Sequence, residues 1–253
     1  MSDQRGVAPA PVPADVGIVA ALAIETGDLV ESLTNVCKYQ SASIPVIEGE
    51  HGGKIVAVAV SGPGRAAARR ATEVLFSGHR PRLIIAAGFA GALNPSFSRN
   101  DLVLPEEIID REGGRHPVDV PISLGATIRH ARGRLLTVDH VVLSAAQKAE
   151  LRETYTADSV DMESSAVAAI CSEKAVRFLS IRVISDDAQT DLPREIASVV
   201  AAHSGTYRVG AALRAVWQRP SSIKDFWGLY EHAIEAAGRL GKFVSLCIDE
   251  MQV

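Results

Sequence analysis

The chain has 253 residues, 47% hydrophobic and 22% charged, with a formal net charge of −4. That is ample apolar material for a buried core and excludes intrinsic disorder over most of the length. The weak negative charge offers no clustered basic face for nucleic acid, and Cys37, Cys171 and Cys247 form no C-x-x-C pair, so neither a zinc site nor a disulfide framework is indicated.

Residues 1–15, rich in Ala and Pro, read as a disordered tail, and 16–253 as one domain. Asp3, Asp15, Pro9, Pro11 and Pro13 stand where a secretion signal has a basic start. The apolar runs 16–24 and 83–93 fall short of the roughly 18–20 residues that cross a bilayer. No membrane span is expected, and a cytoplasmic protein with free, mostly buried thiols is. Residues 16–22 read as a buried strand and 25–33 as a short helix. A valine-rich second strand, 54–60, is broken by Ser61-Gly-Pro-Gly64, after which 65–77 reads as a helix with alanines on one face. Arg65, Arg69, Arg70, Arg80 and Arg82 form the densest basic cluster. With no aromatic residues interleaved for base stacking, they read as a solvated helix flank.

A continuous apolar strand, 82–87, is closed by Gly88-Phe89-Ala90-Gly91. Residues 101–104 and 135–138 look like shorter strands, 144–154 like a helix, and 159–162 leads into a helix from 163 to about 175. The strand 177–184 ends in Ser185-Asp186-Asp187. The last sixty residues are helical, with Ile223, Phe226, Tyr230, Ile234, Ala237, Leu240 and Val244 recurring every three or four positions. Apolar strands alternating with helices imply an α/β fold with a mostly parallel sheet covered on both faces.

In such a sheet, ligands bind beyond the carboxyl ends of the strands. Gly62 and Gly64 match the spacing of a dinucleotide fingerprint, but they follow a later strand and the next strand ends without a carboxylate. The loop is a tight turn or an amide nest for a hydroxyl or anion, with Arg65 beside it as its one basic residue. Three carboxylates stand at strand or helix junctions: Glu25, Glu163 and Asp186. Each has a plain structural role available, as a first-turn acid worth about 0.3–1 kcal/mol or as a cap. Converging, they make a polar pocket with acid, base and hydroxyl-binding groups. His116 and His140 are lone histidines, and no His, Cys or Asp cluster has metal-ligand spacing, so neither metal nor cofactor is expected.

Five segments in order, Gly17-Ile-Val-Ala-Ala-Leu-Ala-Ile-Glu25, Ser61-Gly-Pro-Gly-Arg65, Ala87-Gly-Phe-Ala-Gly-Ala-Leu93, Val160-Asp-Met-Glu-Ser164 and Arg182-Val-Ile-Ser-Asp186, resemble the nucleoside phosphorylase-I superfamily. They look most like its 5′-methylthioadenosine/S-adenosylhomocysteine nucleosidase branch. The resemblance implies a three-layer α/β/α sandwich around a mixed, mostly parallel sheet. It implies a small-molecule nucleoside substrate, no cofactor and a homodimer. Met162 and Glu163 would hold the ribose, with Phe89, Ala90, Gly91, Val141, Val142 and Ser185 completing the substrate pocket. Asp186 would protonate the purine at N7, which predicts a proton held there by partial burial. Glu25 would deprotonate the attacking water. Gly62, Gly64 and Arg65 are the candidate anion-binding group.

The chain departs from the nucleosidase pattern at Phe89, where the branch has serine, and at Val141, where it has an aromatic residue. Its 110–137 stretch is also shorter. The segment from Asp139-His-Val-Val to Asp161-Met-Glu-Ser164 also resembles the hopanoid-associated phosphorylase branch, which implies a lipid-linked adenosyl substrate. The expected reaction is hydrolytic release of adenine from a 5′-modified adenosine, because neutral Ala86-Ala87 stands where phosphorylases of the superfamily bring an arginine to phosphate. The alternatives are a phosphate-dependent phosphorylase and a non-catalytic nucleoside-binding module.

Overall fold

The computed structural model describes residues 12–118, 129–193 and 221–251, the side chains of the last segment from His232 onward. The elements run β1 Val16–Ala20, a 3-10 turn Ala23–Thr26, α1 Gly27–Ser32, β2 Thr34–Ser41, β3 Ile44–His51, β4 Lys54–Val60, α2 Arg65–His79 and β5 Leu83–Ala92. After them come β6 Leu102–Asp110, β7 Arg115–Pro117, β8 Ala131–Thr137, α3 Ala145–Tyr155, β9 Ser159–Asp161, α4 Ser164–Glu173, β10 Arg177–Asp186 and α5 Ser221–Glu250. Strands β4, β1, β5 and β10 lie side by side and parallel. Their residues are almost wholly buried, as apolar strands covered on both faces must be.

The sheet is mixed because antiparallel partners are added around this parallel centre. The hairpin β2–β3 extends it beyond β4. On the other side β5 pairs with both β10 and β9, β9 with β8, β8 with β6, and β6 with β10, so these five strands close into a ring. One face is covered by α2 and α4, through Ala68, Ala71, Leu75, Val167, Ala168 and Cys171. The other is covered by α1 and α5, through Leu29, Leu240, Phe243, Val244, Cys247 and Ile248. The three layers follow from those two apolar interfaces, each at roughly 25 cal/mol per Å² of apolar surface buried.

The structure departs from the sequence expectations in three places that bear on the site. The strand 54–60 is the fourth, because the hairpin β2–β3 precedes it. Its turn uses Ala42 and Ser43 at φ 48° and 65°, a left-handed pair without the glycine that would have announced it. The Gly88–Gly91 motif does not close β5 but lies within it, paired with β10 in the register Arg182↔Gly88, Val183↔Phe89, Ile184↔Ala90 and Asp186↔Gly91, with a shift at Ser185. In α5, Ala237, Leu240 and Val244 are buried as the periodicity requires, but Ile234 is 49% exposed. The side chains of Ile223, Phe226 and Tyr230 lie outside the described residues, as does 194–220 from the expected helical C-terminus.

Of the expected tail, 1–11 lies outside the described residues. Ala14 is buried and donates its N–H to His79 O at 2.8 Å, and Asp15 accepts the Ile55 N–H at 2.9 Å. No helix among the described residues is long and apolar enough to cross a membrane.

Candidate active site

The parallel register of β5 and β10 sets the geometry. It places Arg182 against Gly88 and Asp186 against Gly91. A Cβ on Gly88 would collide with Arg182 Nη1 and stand 2.8 Å from Glu25 Oε1, and one on Gly91 would stand 3.2 Å from Asp186 Oδ2. The small residues of β5 therefore leave room for Arg182 and Glu25 at Gly88 and for Asp186 at Gly91.

Glu25 sits in the 3-10 turn that follows β1. Its Oε2 accepts the Leu22 N–H at 2.8 Å, closing its own turn, and its Oε1 accepts the Phe89 N–H at 3.0 Å. Burial pushes its carboxyl above the ordinary value of 4.5, partly offset by the two amides and the Arg182 charge. A carboxylate so raised is a stronger base than one in water.

Glu163 precedes α4. Its Oε1 accepts the Gly64 N–H at 2.7 Å, at the N-terminus of α2, and its Oε2 accepts the Met162 N–H at 3.2 Å. Gly62 and Gly64 have φ of 79° and 95°, which bends the chain so that the Gly64 amide points outward from β4. Burial, then the charge of Asp161, raises the Glu163 carboxyl from 4.5 to about 7, with Arg182 and the Gly64 amide opposing.

Asp186 is 6% exposed. Its Oδ2 lies 2.6 Å from Lys148 Nζ and its Oδ1 accepts from the Ser185 hydroxyl at 2.6 Å. The sequence reading expects partial burial there, and the structure adds a buried lysine side chain against the carboxyl group. Ser185 Oγ also lies 3.2 Å from Ala90 O, which ties the strand end to β5.

Three charged residues beneath this surface, Arg182, Asp161 and Lys148, were not singled out from the sequence. Arg182 Nη2 reaches Asp161 Oδ2 at 2.8 Å and Ser164 Oγ at 2.7 Å. Asp161 in turn accepts from Thr137 Oγ1 at 2.7 Å and from the Ser164 N–H at 2.9 Å. An arginine in the otherwise apolar run Phe178-Leu-Ser-Ile-Arg-Val-Ile was the signal: a buried strand keeps a charge only where it is paired. Lys148 shares its helical face with Leu151 and Tyr155, which was the matching signal in α3.

At the candidate anion-binding group, the polar groups have partners within the chain. Gly64 N–H is given to Glu163 and Gly62 N–H to Ala21 O at 3.0 Å. Arg65 turns away, to Glu112 at 2.5 Å and Asp139 at 3.2 Å. The anion held by this glycine turn is the chain's own Glu163 carboxylate.

The half-buried Phe89 packs on the α5-side cluster. Met162 and Val142 pack together on a third cluster with Leu136, Val138 and Val160, and Val141 beside them is half-buried. His140 is exposed and His116 lies on β7. Part of the 110–137 stretch, 119–128, is outside the described residues, and among the described residues no three His, Cys, Asp or Glu side chains converge as a metal site. An open groove of about 740 Å³, lined by Leu93, Pro95, Ala149, Arg152 and Gln189, is not bordered by any of the three carboxylates.

The phosphorylase superfamily's family model matches residues 15–212. The 5′-methylthioadenosine/S-adenosylhomocysteine nucleosidase of Shewanella oneidensis is 28% identical over 208 residues, 70% of this chain and 86% of that protein. The nucleosidase of the same description from Shewanella halifaxensis is 27% identical over 79% of this chain and 98% of its own length. Among solved structures, the Helicobacter pylori nucleosidase superposes with a TM-score of 0.74 at 18% identity, covering 96% of this chain and 99% of that one. The futalosine hydrolase of the same organism superposes with a TM-score of 0.73 at 17% identity, over 96% and 99% of the two chains. At such identities the superpositions establish the shared fold.

Proposed function

The chain belongs to the phosphorylase superfamily and is an enzyme acting on N-glycosidic bonds, and from that premise we propose that it hydrolyses a purine nucleoside, releasing adenine from an adenosine modified at its 5′ position. The observation that carries this reading is the pair of carboxylates set against β5. Glu25 bonds the Phe89 amide, while Asp186 stands against Gly91 two residues further on.

Cleavage of an N-glycosidic bond passes through an oxocarbenium-like state. It needs a proton for the departing base, negative charge near the sugar, and an activated nucleophile on the opposite face. Asp186 is the proton donor to purine N7 in this reading, Glu163 with Met162 holds the ribose hydroxyls, and the desolvated Glu25 takes the proton of the attacking water. Ser185, Ala90, Gly91, Phe89, Val141 and Val142 line the substrate.

Hydrolysis is favoured over phosphorolysis by the charges already spoken for. Arg65 is bound by Glu112 and Asp139, and Arg182 by Asp161 and Ser164, while the Gly64 amide is bound by Glu163. We place the enzyme in the cytoplasm as a homodimer, on the family resemblance and on the free thiols Cys37, Cys171 and Cys247. Light scattering on the purified chain checks the dimer.

The test is release of free adenine from methylthioadenosine, S-adenosylhomocysteine and adenosine, each with and without phosphate. Release without phosphate is the expected result. Release only with phosphate makes the protein a phosphorylase. No release from any of the three, in either buffer, overturns the proposed substrate class.

A further inference from the structure

We propose that Lys148 is a positioning residue for Asp186, holding the carboxylate in place at the end of β10 and balancing its charge. The lysine is on α3, far in sequence from the strand it serves, and its side chain is 0% exposed. Its ammonium has three donors and three acceptors: Asp186 Oδ2 at 2.6 Å, Asp187 O at 2.7 Å and Thr190 O at 2.9 Å. A buried lysine with every proton assigned has one geometry available, and it transmits that geometry to its partners. The inference rests on Asp186 being the acid of the proposed reaction.

The surroundings show what α3 grips. Asp191 Oδ1 accepts the Ala145 N–H at 2.7 Å, and Leu192 N–H donates to Leu143 O at 2.7 Å. The chain leaving β10 is therefore tied to the start of α3 at three points, with Lys148 alone reaching back to the acid. The other charged groups nearby are engaged elsewhere. Asp187 accepts the Arg99 N–H at 2.8 Å, and Arg152, one turn along α3, pairs with Asp158 at 3.1 Å. From β5 only Ala90 and Gly91 face Asp186, through the Ser185 contact and the Gly91 position, and neither is charged.

Such a lysine acts on rate in two opposed ways. It fixes the carboxylate in direction, which raises the maximal rate. Its charge, 2.6 Å from Asp186 Oδ2, also opposes removal of the carboxylate's own charge.

The experiment is the pH profile of kcat and KM for adenine release from methylthioadenosine, in the wild-type chain, Lys148→Met, Lys148→Gln and Asp186→Asn. Both lysine variants are expected to lower the plateau of kcat by about tenfold or more with little change in KM. They are also expected to move the alkaline limb to higher pH, because the cation in contact with the carboxylate is removed. A clamp with a merely structural role would leave the limb where it is, and an unmoved limb in a folded variant overturns the proposal. No release by the wild-type chain overturns the functional reading, and the positioning role with it. Full activity in Asp186→Asn removes Asp186 from the mechanism, and again the positioning role falls with it. Wild-type release with a dead Asp186→Asn and an unmoved limb defeats the positioning role alone.

Should both lysine variants fail to fold, the double variant Lys148→Met/Asp186→Asn decides by its melting temperature. Recovery toward the wild type follows if the lysine balances the Asp186 charge. A double variant as unstable as the single one contradicts it.

Discussion

Glu25 and Asp186 are both buried carboxylates carried beyond parallel strands and set against the same four residues of β5, yet they are held by opposite means. Glu25 receives backbone amides from Leu22 and Phe89, with the Arg182 guanidinium, itself bound by Asp161, nearby. Asp186 receives a whole ammonium and a hydroxyl. Amide dipoles compensate burial only in part, so burial wins and the Glu25 carboxyl rises. A contacting ammonium carries a unit charge and can be withdrawn by one mutation. The difference teaches that two carboxylates of nearly equal burial can be held by quite different kinds of partner.

The largest effect is expected from Asp186→Asn, which keeps the shape and removes the donor. A fall in kcat of about 10²–10⁴-fold with nucleoside affinity largely kept is the predicted result, read from steady-state kinetics and calorimetric titration. Arg182→Met strikes the other half of the comparison. It leaves Asp161 buried without its counter-charge, and a loss of about 3–5 kcal/mol is expected in urea unfolding. A loss under 1 kcal/mol would mean that the guanidinium does not hold the Glu25 side together.

Glu163→Gln should weaken rate and binding together, by about tenfold each, since the ribose contacts proposed for it would act in the ground and transition states alike. Its pH signature is separate. A carboxyl raised from 4.5 to about 7 on folding binds its proton more tightly in the folded chain. Its contribution is then fully present below pH 4.5 and is lost as the pH rises to about 7. Thermal melts across that window should show the decline in the wild-type chain and a flatter line in Glu163→Gln. Parallel curves for the two would refute the assignment. The smallest effect belongs to Arg65→Ala. With its guanidinium given to Glu112 and Asp139, the change is expected to alter kcat/KM less than twofold and stability by no more than about 1 kcal/mol. A large loss, above all one dependent on phosphate, would restore Arg65 as an anion ligand.

What could be read from the sequence followed from how strongly each feature is written. The strands 16–22, 54–60 and 177–184 are apolar but for Lys54, Arg177, Ser180 and Arg182, and such runs have few other states. Glu25, Glu163 and Asp186 stood out in the sequence as acids at strand or helix junctions, and the structure buries Glu25 and Asp186. The hairpin β2–β3 was not, because β2 is mostly exposed and its turn lacks glycine. The Gly88–Gly91 stretch looked like a loop because glycine usually ends strands; here it keeps strand geometry and makes room for Arg182. Lys148 escaped because a lysine on a helix is ordinarily solvated, and only the fold shows its head enclosed. The partners of Arg65, Glu112 and Asp139, are remote in sequence and could not be read from it.

The most direct test of the account is the fate of oxygen. The purified chain is incubated with methylthioadenosine and phosphate in water enriched in oxygen-18, and the sugar product is weighed by mass spectrometry. Attack by a water activated at Glu25 predicts free methylthioribose carrying one heavy oxygen at the anomeric carbon, together with free adenine. A sugar phosphate without that label, or no adenine at all, would contradict it.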